Sequence, residues 1–185
     1  RPGRDGFAEQ FGTDLKALIP IAGEPMVRRP VKALLQSKNV GKVLVLSQSP
    51  DRIAEVLPDD PRIDVRESRG TIAEALERLI LDHGTQFPML VTTADHALLD
   101  EQMIAEFIAR AEGADLAVGV VERKSLLDRL PQSKRTWLAF RGGAYSGANM
   151  FWFGSIKVLA AIEQWRSVEQ DRKKGWRMLA ARSEE

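Results

Sequence analysis

Short, almost wholly apolar runs that alternate with amphipathic helices set the fold class of this chain. Lys42-Val-Leu-Val-Leu46 and Pro88-Met-Leu-Val-Thr92 are two such runs, and Asp115 to Val121 is a third. Runs of this kind form strands buried on both faces, as in a parallel sheet. Pro50 opens a short helix that stops near Pro58. Thr71 to His83 places Ile72, Ala75, Leu76, Leu79 and Ile80 on one helical face; Thr71 and Glu74 form a capping box, and Gly84 can end the helix. Asp100 to Gly113 does the same with Met103, Ile104, Phe107, Ile108 and Ala111. The alternation predicts an α/β fold with a mostly parallel sheet covered by helices on both faces. Ligands of such sheets bind beyond the carboxyl ends of the strands, so chemistry is expected at the tips after Leu46, Thr92 and Val121.

The later part of the chain reads differently. Trp137 to Phe140 and Tyr145 to Phe153 flank Arg141-Gly-Gly-Ala144, a hairpin-like reversal, and Ser155 caps a final helix followed by a basic segment. No repeat or linker divides the 185 residues, so a single domain is expected. The 27 Lys+Arg and 26 Asp+Glu nearly balance, which gives no electrostatic case for nucleic acid or an acidic membrane. The absence of cysteine excludes structural disulfides and Cys-based zinc sites. No apolar run is long enough to span a bilayer and no signal peptide is visible, so a cytoplasmic location is the expectation.

The segment ahead of the first apolar run carries the chemical signal. Arg1-Pro-Gly3-Arg4-Asp5-Gly6 combines glycines with arginines, and Lys16 precedes a Pro/Gly turn from Pro20 to Pro25 that opens a helix. Glycines let backbone N–H groups approach phosphate oxygens, and cationic side chains balance their charge. Pro30 either sets the helix start near Arg28 or kinks the helix. A doubly wound fold should open with a buried strand, whereas this chain opens on the loop. A short first strand ahead of Arg1, and a further C-terminal piece, are therefore expected.

Three blocks resemble one family. Lys16-Ala-Leu-Ile-Pro20-Ile-Ala-Gly23-Glu-Pro25-Met26 is similar to the K-x-L-x-P-I-x-G-x-P-M pattern of MobA-like nucleotidyltransferases, which follows a glycine-rich loop ending in arginine. Val91-Thr-Thr-Ala-Asp95-His-Ala-Leu98-Leu99 resembles the family's strand-end aspartate motif, and Ser146-Gly147-Ala148-Asn149-Met150-Phe151 its later glycine-asparagine strand. The resemblance implies a Rossmann-like three-layer α/β/α sandwich of the nucleotide-diphospho-sugar transferase (GT-A) type. It also implies a reaction: an acceptor oxygen attacks the α-phosphorus of a nucleoside triphosphate, and pyrophosphate leaves. Such transfer depends on positioning and charge neutralisation.

The expected roles follow residue by residue. Lys16 offsets charge at the α- and β-phosphates; otherwise it is a surface lysine. Arg1 and Arg4 grip the leaving pyrophosphate or are frayed terminal residues, and Gly3 lets backbone approach the phosphates or is an ordinary loop glycine. Asp95, at a strand's carboxyl end, holds Mg²⁺ with substrate phosphates or is a turn residue. The resemblance makes Asn149 a second metal ligand; the alternative is an amide satisfied by neighbouring backbone. Gly70 and Thr71 lie near the base and ribose by resemblance, although capping alone explains Thr71. Lys134, Arg135 and Gly147 bound the acceptor site, or the basic pair is simply solvated. His83 sits where a helix ends, and His96 adjoins Asp95, but their separation has no metal-ligand spacing. Trp137, Trp152 and Phe153 read as packing, and Arg172-Lys173-Lys174 as a solvated helix face.

The expected partners are a nucleoside triphosphate and a small phosphorylated acceptor, with Mg²⁺ as cofactor. Two alternatives stand beside this reading. A glycosyltransferase of the same architecture would carry two aspartates flanking one residue, but Thr93 stands two positions before Asp95. A non-catalytic nucleotide sensor would tolerate loss of residues that are all present here: Lys16, Asp95 and Asn149.

Overall fold

Helices and strands alternate along most of the computed structural model, which describes residues 6–82 and 85–166. A short helix α1 (Gly6–Glu9) leads to a 3₁₀ turn at Lys16–Leu18. The strands β1 (Pro20–Ile21) and β2 (Glu24–Pro25) then form a tight antiparallel ribbon. Its two-residue turn has positive φ at both Ala22 (51°) and Gly23 (84°), the geometry that suits the twist of a hairpin. Helix α2 (Arg28–Gln36) follows, with Pro30 in its first turn, where no intrahelical N–H bond is lost.

The next unit is β3 (Val43–Ser47), α3 (Pro50–Ala54) and β4 (Ile63–Glu67). β3 and β4 pair in parallel from Val43↔Ile63 to Ser47↔Glu67. Val27, Val31, Val43 and Ile53 form the buried centre between this pair and helices α2 and α3. Sequence reading missed β4: in Ile63-Asp-Val-Arg-Glu67 only alternate residues are apolar, because its last two residues are exposed.

Helix α4 (Ile72–Leu81) starts on the expected capping box, with Thr71 Oγ1 accepting from Glu74 N–H at 3.2 Å and the Glu74 carboxylate accepting from Thr71 N–H at 2.7 Å. The expected terminators His83 and Gly84 lie outside the described residues. Then come β5 (Met89–Thr92), α5 (Glu101–Ala111), β6 (Leu116–Glu122), α6 (Arg123–Arg129), β7 (Leu138–Phe140) and β8 (Gly143–Phe153). A 3₁₀ turn at Ile156–Val158, capped by Ser155, runs into helical residues 159–166. The Arg172-Lys173-Lys174 segment lies outside the described residues.

The expectation of a mostly parallel sheet needs correction. Among the described residues only β3 and β4 pair in parallel; β1–β2, β5–β8, β6–β8 and β7–β8 are antiparallel. The cause is the hairpin at Arg141-Gly142. It turns the chain back so that β8 inserts between β5 and β6, in the order β5-β8-β6, with β7 also on β8. β5 and β6 thus run the same way without touching. An apolar run reports burial but not direction, so the sequence pattern could not separate these arrangements.

Helices cover both faces of this second sheet. Leu90 and Met150 pack under α2 and α5 with Ala33, Leu99 and Ile104. Met89, Val91 and Phe153 pack on the opposite side with Ala73, Leu76 and Ile80 of α4 and with Ile162. Trp152 and Phe153 are buried as expected for packing residues, the Trp152 indole donating to the Ala114 carbonyl at 3.2 Å.

Candidate active site

Lys16 and Asp95, 79 positions apart in sequence, form an ion pair. Two sets of contacts bring them together. Ala8, Ile19 and Met26 form a small buried cluster against which Ile21 and Ala97 pack, so the segment bearing Lys16 is seated on the loop bearing Asp95. From α2, the Arg29 Nε–H donates to the Ala97 carbonyl at 2.9 Å and clamps the same loop. Met26 N–H to the Ile19 carbonyl and Val27 N–H to the Ala17 carbonyl, both 2.9 Å, fold the Lys16 turn onto the start of α2. Upstream, the Arg52 guanidinium forks onto Asp14 at 2.8 and 3.2 Å and ties that loop to α3.

Asp95 lies just past the carboxyl end of β5, where a strand-end ligand site is expected. Its Oδ1 accepts from the Thr93 hydroxyl at 2.6 Å, and its Oδ2 takes the Lys16 ammonium. Burial pushes the carboxyl up, but the bonds from Lys16 and Thr93 outweigh it, so Asp95 is held below the usual carboxylate range and is ionised at neutral pH. Both members of the pair keep partial exposure, 47% for Lys16 and 32% for Asp95. An exposed pair of this kind contributes little stability, roughly 0–1 kcal/mol, and is readily exchanged for other partners.

Asn149 occupies an irregular stretch of β8. Val118 pairs with Phe151 and Val120 with Gly147, so Ala148, Asn149 and Met150 lie across from Gly119 alone. The strand bulges there, and Asn149 adopts a left-handed conformation with φ 54°, which asparagine tolerates better than most residues. Its carbonyl accepts from the Thr92 hydroxyl at 2.8 Å. Its carboxamide has no hydrogen-bond partner among the described residues. The sequence reading placed Asn149 in a regular strand; the bulge instead re-aims it, and partial exposure removes the cost of an unpaired amide.

His96 sits beside Asp95 with Nδ1 3.2 Å from the Thr92 hydroxyl. Burial pushes its imidazole below the ordinary value; the neighbouring Arg135 charge acts in the same direction and Asp95 opposes both. Arg135 donates to the Gly147 carbonyl at 3.1 Å, joining the segment after α6 to β8. A Cβ built on Gly147 would meet nothing within 4 Å, so this glycine faces open space. Lys134 is exposed and makes no hydrogen bond or ion pair among the described residues.

Gly70 and Thr71 are accounted for by the start of α4. Gly70 has φ +88°, and a Cβ there would collide with the Glu74 carboxylate oxygen that completes the capping box. No hydrogen bond among the described residues joins them to Lys16 or Asp95. Arg1, Gly3 and Arg4 lie outside the described residues. Sequence reading missed Arg29, Thr92 and Thr93 as organisers of the site. Thr93 carried a partial signal, because it is a hydroxyl only two positions from the candidate carboxylate. Arg29 carried none, since its partner is a backbone carbonyl 68 positions away.

The MobA-like NTP transferase domain matches residues 6–185. The chain belongs to this family. Among solved structures, the family member described here is similar to a hypothetical transferase from Thermus thermophilus, at 27% identity and a TM-score of 0.75, over 94% of this chain and 71% of the other. It also shares its fold with a 4-diphosphocytidyl-2C-methyl-D-erythritol synthase from Anaerococcus prevotii, at 11% identity and a TM-score of 0.61, over 80% of this chain and 68% of the other. A third is a homologue of the Mycobacterium tuberculosis protein rv0371c, from Mycobacterium sp. strain JC1, at 17% identity and a TM-score of 0.53, over 91% and 78%. No protein of curated function matches the chain in sequence.

Among the described residues there is no group of three or more His, Cys, Asp or Glu side chains able to hold a metal ion. A closed zinc-type site is therefore not built among these described residues. Asp95, ionised, and the free carboxamide of Asn149 are hard oxygen donors. That set fits an ion that takes one or two protein carboxylates and completes its shell with phosphate and water, as Mg²⁺ does.

Proposed function

We propose that this protein transfers a nucleotidyl group from a nucleoside triphosphate to a small phosphorylated acceptor, releasing pyrophosphate. The ion pair between Lys16 and Asp95 carries the proposal, because it holds a cation and a carboxylate at one strand end within a family of NTP transferase domains. In this reading the triphosphate separates the pair. Lys16 turns to the α- and β-phosphates, and Asp95 with Asn149 would hold a Mg²⁺ ion. When bound, that ion would neutralise charge on the phosphates. An acceptor phosphate oxygen forms the new bond to the α-phosphorus as the bond to the leaving pyrophosphate breaks; no covalent enzyme intermediate is needed.

The remaining assignments belong to the same proposal. Arg1, Gly3 and Arg4 line the phosphates, Gly70 and Thr71 the nucleoside, and Lys134, Arg135 and Gly147 the acceptor. A three-layer sandwich in a single cytoplasmic domain is also part of it. No helix among the described residues is long and apolar enough to cross a membrane. A further strand between β3 and β5 is proposed as well. Among the described residues β3 pairs only with β4 and β5 only with β8, which leaves one edge of each open. Helix α2 bridges the gap, since Leu34 packs in the cores of both sheets.

The test is pyrophosphate release from each nucleoside triphosphate with Mg²⁺ and pools of phosphorylated metabolites. Lys16→Ala and Asp95→Asn should each lower the rate by about 10²–10³-fold, as loss of one charge-stabilising contact does. Each should change stability by no more than about 1 kcal/mol. Triphosphate binding without pyrophosphate release in any pool would overturn the proposal in favour of a sensor.

A further inference from the structure

The polarity of one hydrogen-bond chain fixes the orientation of His96. The Asn149 carbonyl can only accept, so the Thr92 hydroxyl donates its single proton to it at 2.8 Å. Toward His96 Nδ1, 3.2 Å away, the same hydroxyl can then only accept. Nδ1 must therefore carry the hydrogen, and in the neutral ring Nε2 is left with a lone pair. Nε2 has no hydrogen-bond partner among the described residues, although the ring is only partly buried and lies next to Asp95 and close enough to Arg135 to feel its charge.

We propose that His96 is a specificity-determining residue whose Nε2 accepts a hydrogen bond from a donor group on the acceptor, next to the acceptor phosphate held by Arg135. This rests on the acceptor placement given above. A fully ionised phosphate offers no proton, and its oxygens repel a lone pair, so the phosphate itself does not satisfy Nε2 of the neutral ring that burial and the Arg135 charge favour. The acceptor class is thereby narrowed to phosphorylated molecules that carry an O–H or N–H close to the phosphate.

The chain contains two histidines, so the imidazole nitrogens can be read by ¹⁵N NMR, with His83→Gln assigning the pair. His96 should show the Nδ1–H tautomer, and Thr92→Val should disturb it. Three probes are added to the protein with Mg²⁺ and a non-hydrolysable triphosphate: glycerol 3-phosphate, phosphoethanolamine and methyl phosphate. Glycerol 3-phosphate (O–H) or phosphoethanolamine (N–H) should shift Nε2, and the one that does identifies the donor. Methyl phosphate should not shift it. An Nε2–H tautomer, no shift with either donor-bearing probe, or an equal shift with methyl phosphate would overturn the proposal.

Two variants separate positioning from recognition. Asparagine can imitate Nδ1–H and glutamine can imitate Nε2. His96→Asn should keep the wild-type melting temperature but raise the acceptor KM about tenfold, the loss expected for one hydrogen bond. His96→Gln should melt lower while keeping the KM within about twofold. The reverse pattern would reduce His96 to a structural role. The tautomer and probe shifts need no turnover. A protein that releases no pyrophosphate would thus overturn the proposed function and leave these shifts readable, whereas an active protein with the Nε2–H tautomer would overturn the His96 assignment alone.

Discussion

The β3–β4 unit and the β5–β8–β6 sheet solve different problems with similar residues. In the first, the ladder is regular and parallel, its centre is aliphatic, and its charges are spent on one another. Asp60 pairs with Arg62 and Asp64 with Arg66, each at 2.8 Å, and Glu67 also pairs with Arg69 at 2.8 Å. In the second, the ladder is interrupted by a bulge. A left-handed asparagine sits in it, and a carboxylate and a lysine share an exchangeable contact. Regular pairing satisfies its own polar groups. Irregular pairing leaves some of them available, and available groups are what a ligand needs.

The sharpest way to break this contrast is to damage the regular unit alone. Ile53 is 2% exposed in the β3–β4 core. Ile53→Ala should cost about 2–5 kcal/mol, read from chemical denaturation, while the pyrophosphate release rate per folded molecule stays unchanged. A matching loss of rate in the folded fraction would show that the two regions are coupled.

A smaller effect is expected at Asn149. Asn149→Ala should destabilise by about 1 kcal/mol, since a side chain other than asparagine is disfavoured at its positive φ. Asn149→Gly should restore that stability, because glycine adopts this conformation freely. If the carboxamide is a ligand, both variants lose activity and the glycine does not rescue it. Recovery of activity in the glycine variant would make backbone shape the residue's only contribution.

The smallest effect is a pH dependence of the regular unit. Arg62 holds Asp60, and Arg66 with Lys42 holds Asp64, below the usual carboxylate range. A carboxyl lowered in the folded state stabilises the fold fully above its unfolded value of about 3.8 and loses that contribution as pH falls through the lowered value. Melting temperature should therefore fall only below about pH 4, and by little, since these groups face solvent. Asp60→Asn together with Asp64→Asn should flatten the acid limb of that curve.

The elements and the site were unequally legible in the sequence. α4 and α5 were readable to within a residue or two, because capping and helical periodicity are local: Thr71–Glu74 and Asp100 mark their starts. The strand-end position of Asp95 followed from the same local pattern. β4 was hidden, as its apolar alternation spans too few residues to stand out. The antiparallel insertion of β8 depends on which strands find each other, a tertiary outcome that no single run encodes. The meeting of Lys16 with Asp95 was expected from motif resemblance, whereas the Arg29 clamp and the relay from His96 through Thr92 to Asn149 join positions whose spacing carries no pattern.

Gly119 has a consequence well beyond its own strand. A Cβ there would come within 3.1 Å of the Met150 side chain and 3.3 Å of its carbonyl oxygen. One methyl group on β6 would thus press on the residue next to Asn149, whose carbonyl anchors Thr92. The end of the sheet that carries Asp95 and Asn149 is open to adjustment from β6, and Gly119→Ala is a lever for doing so.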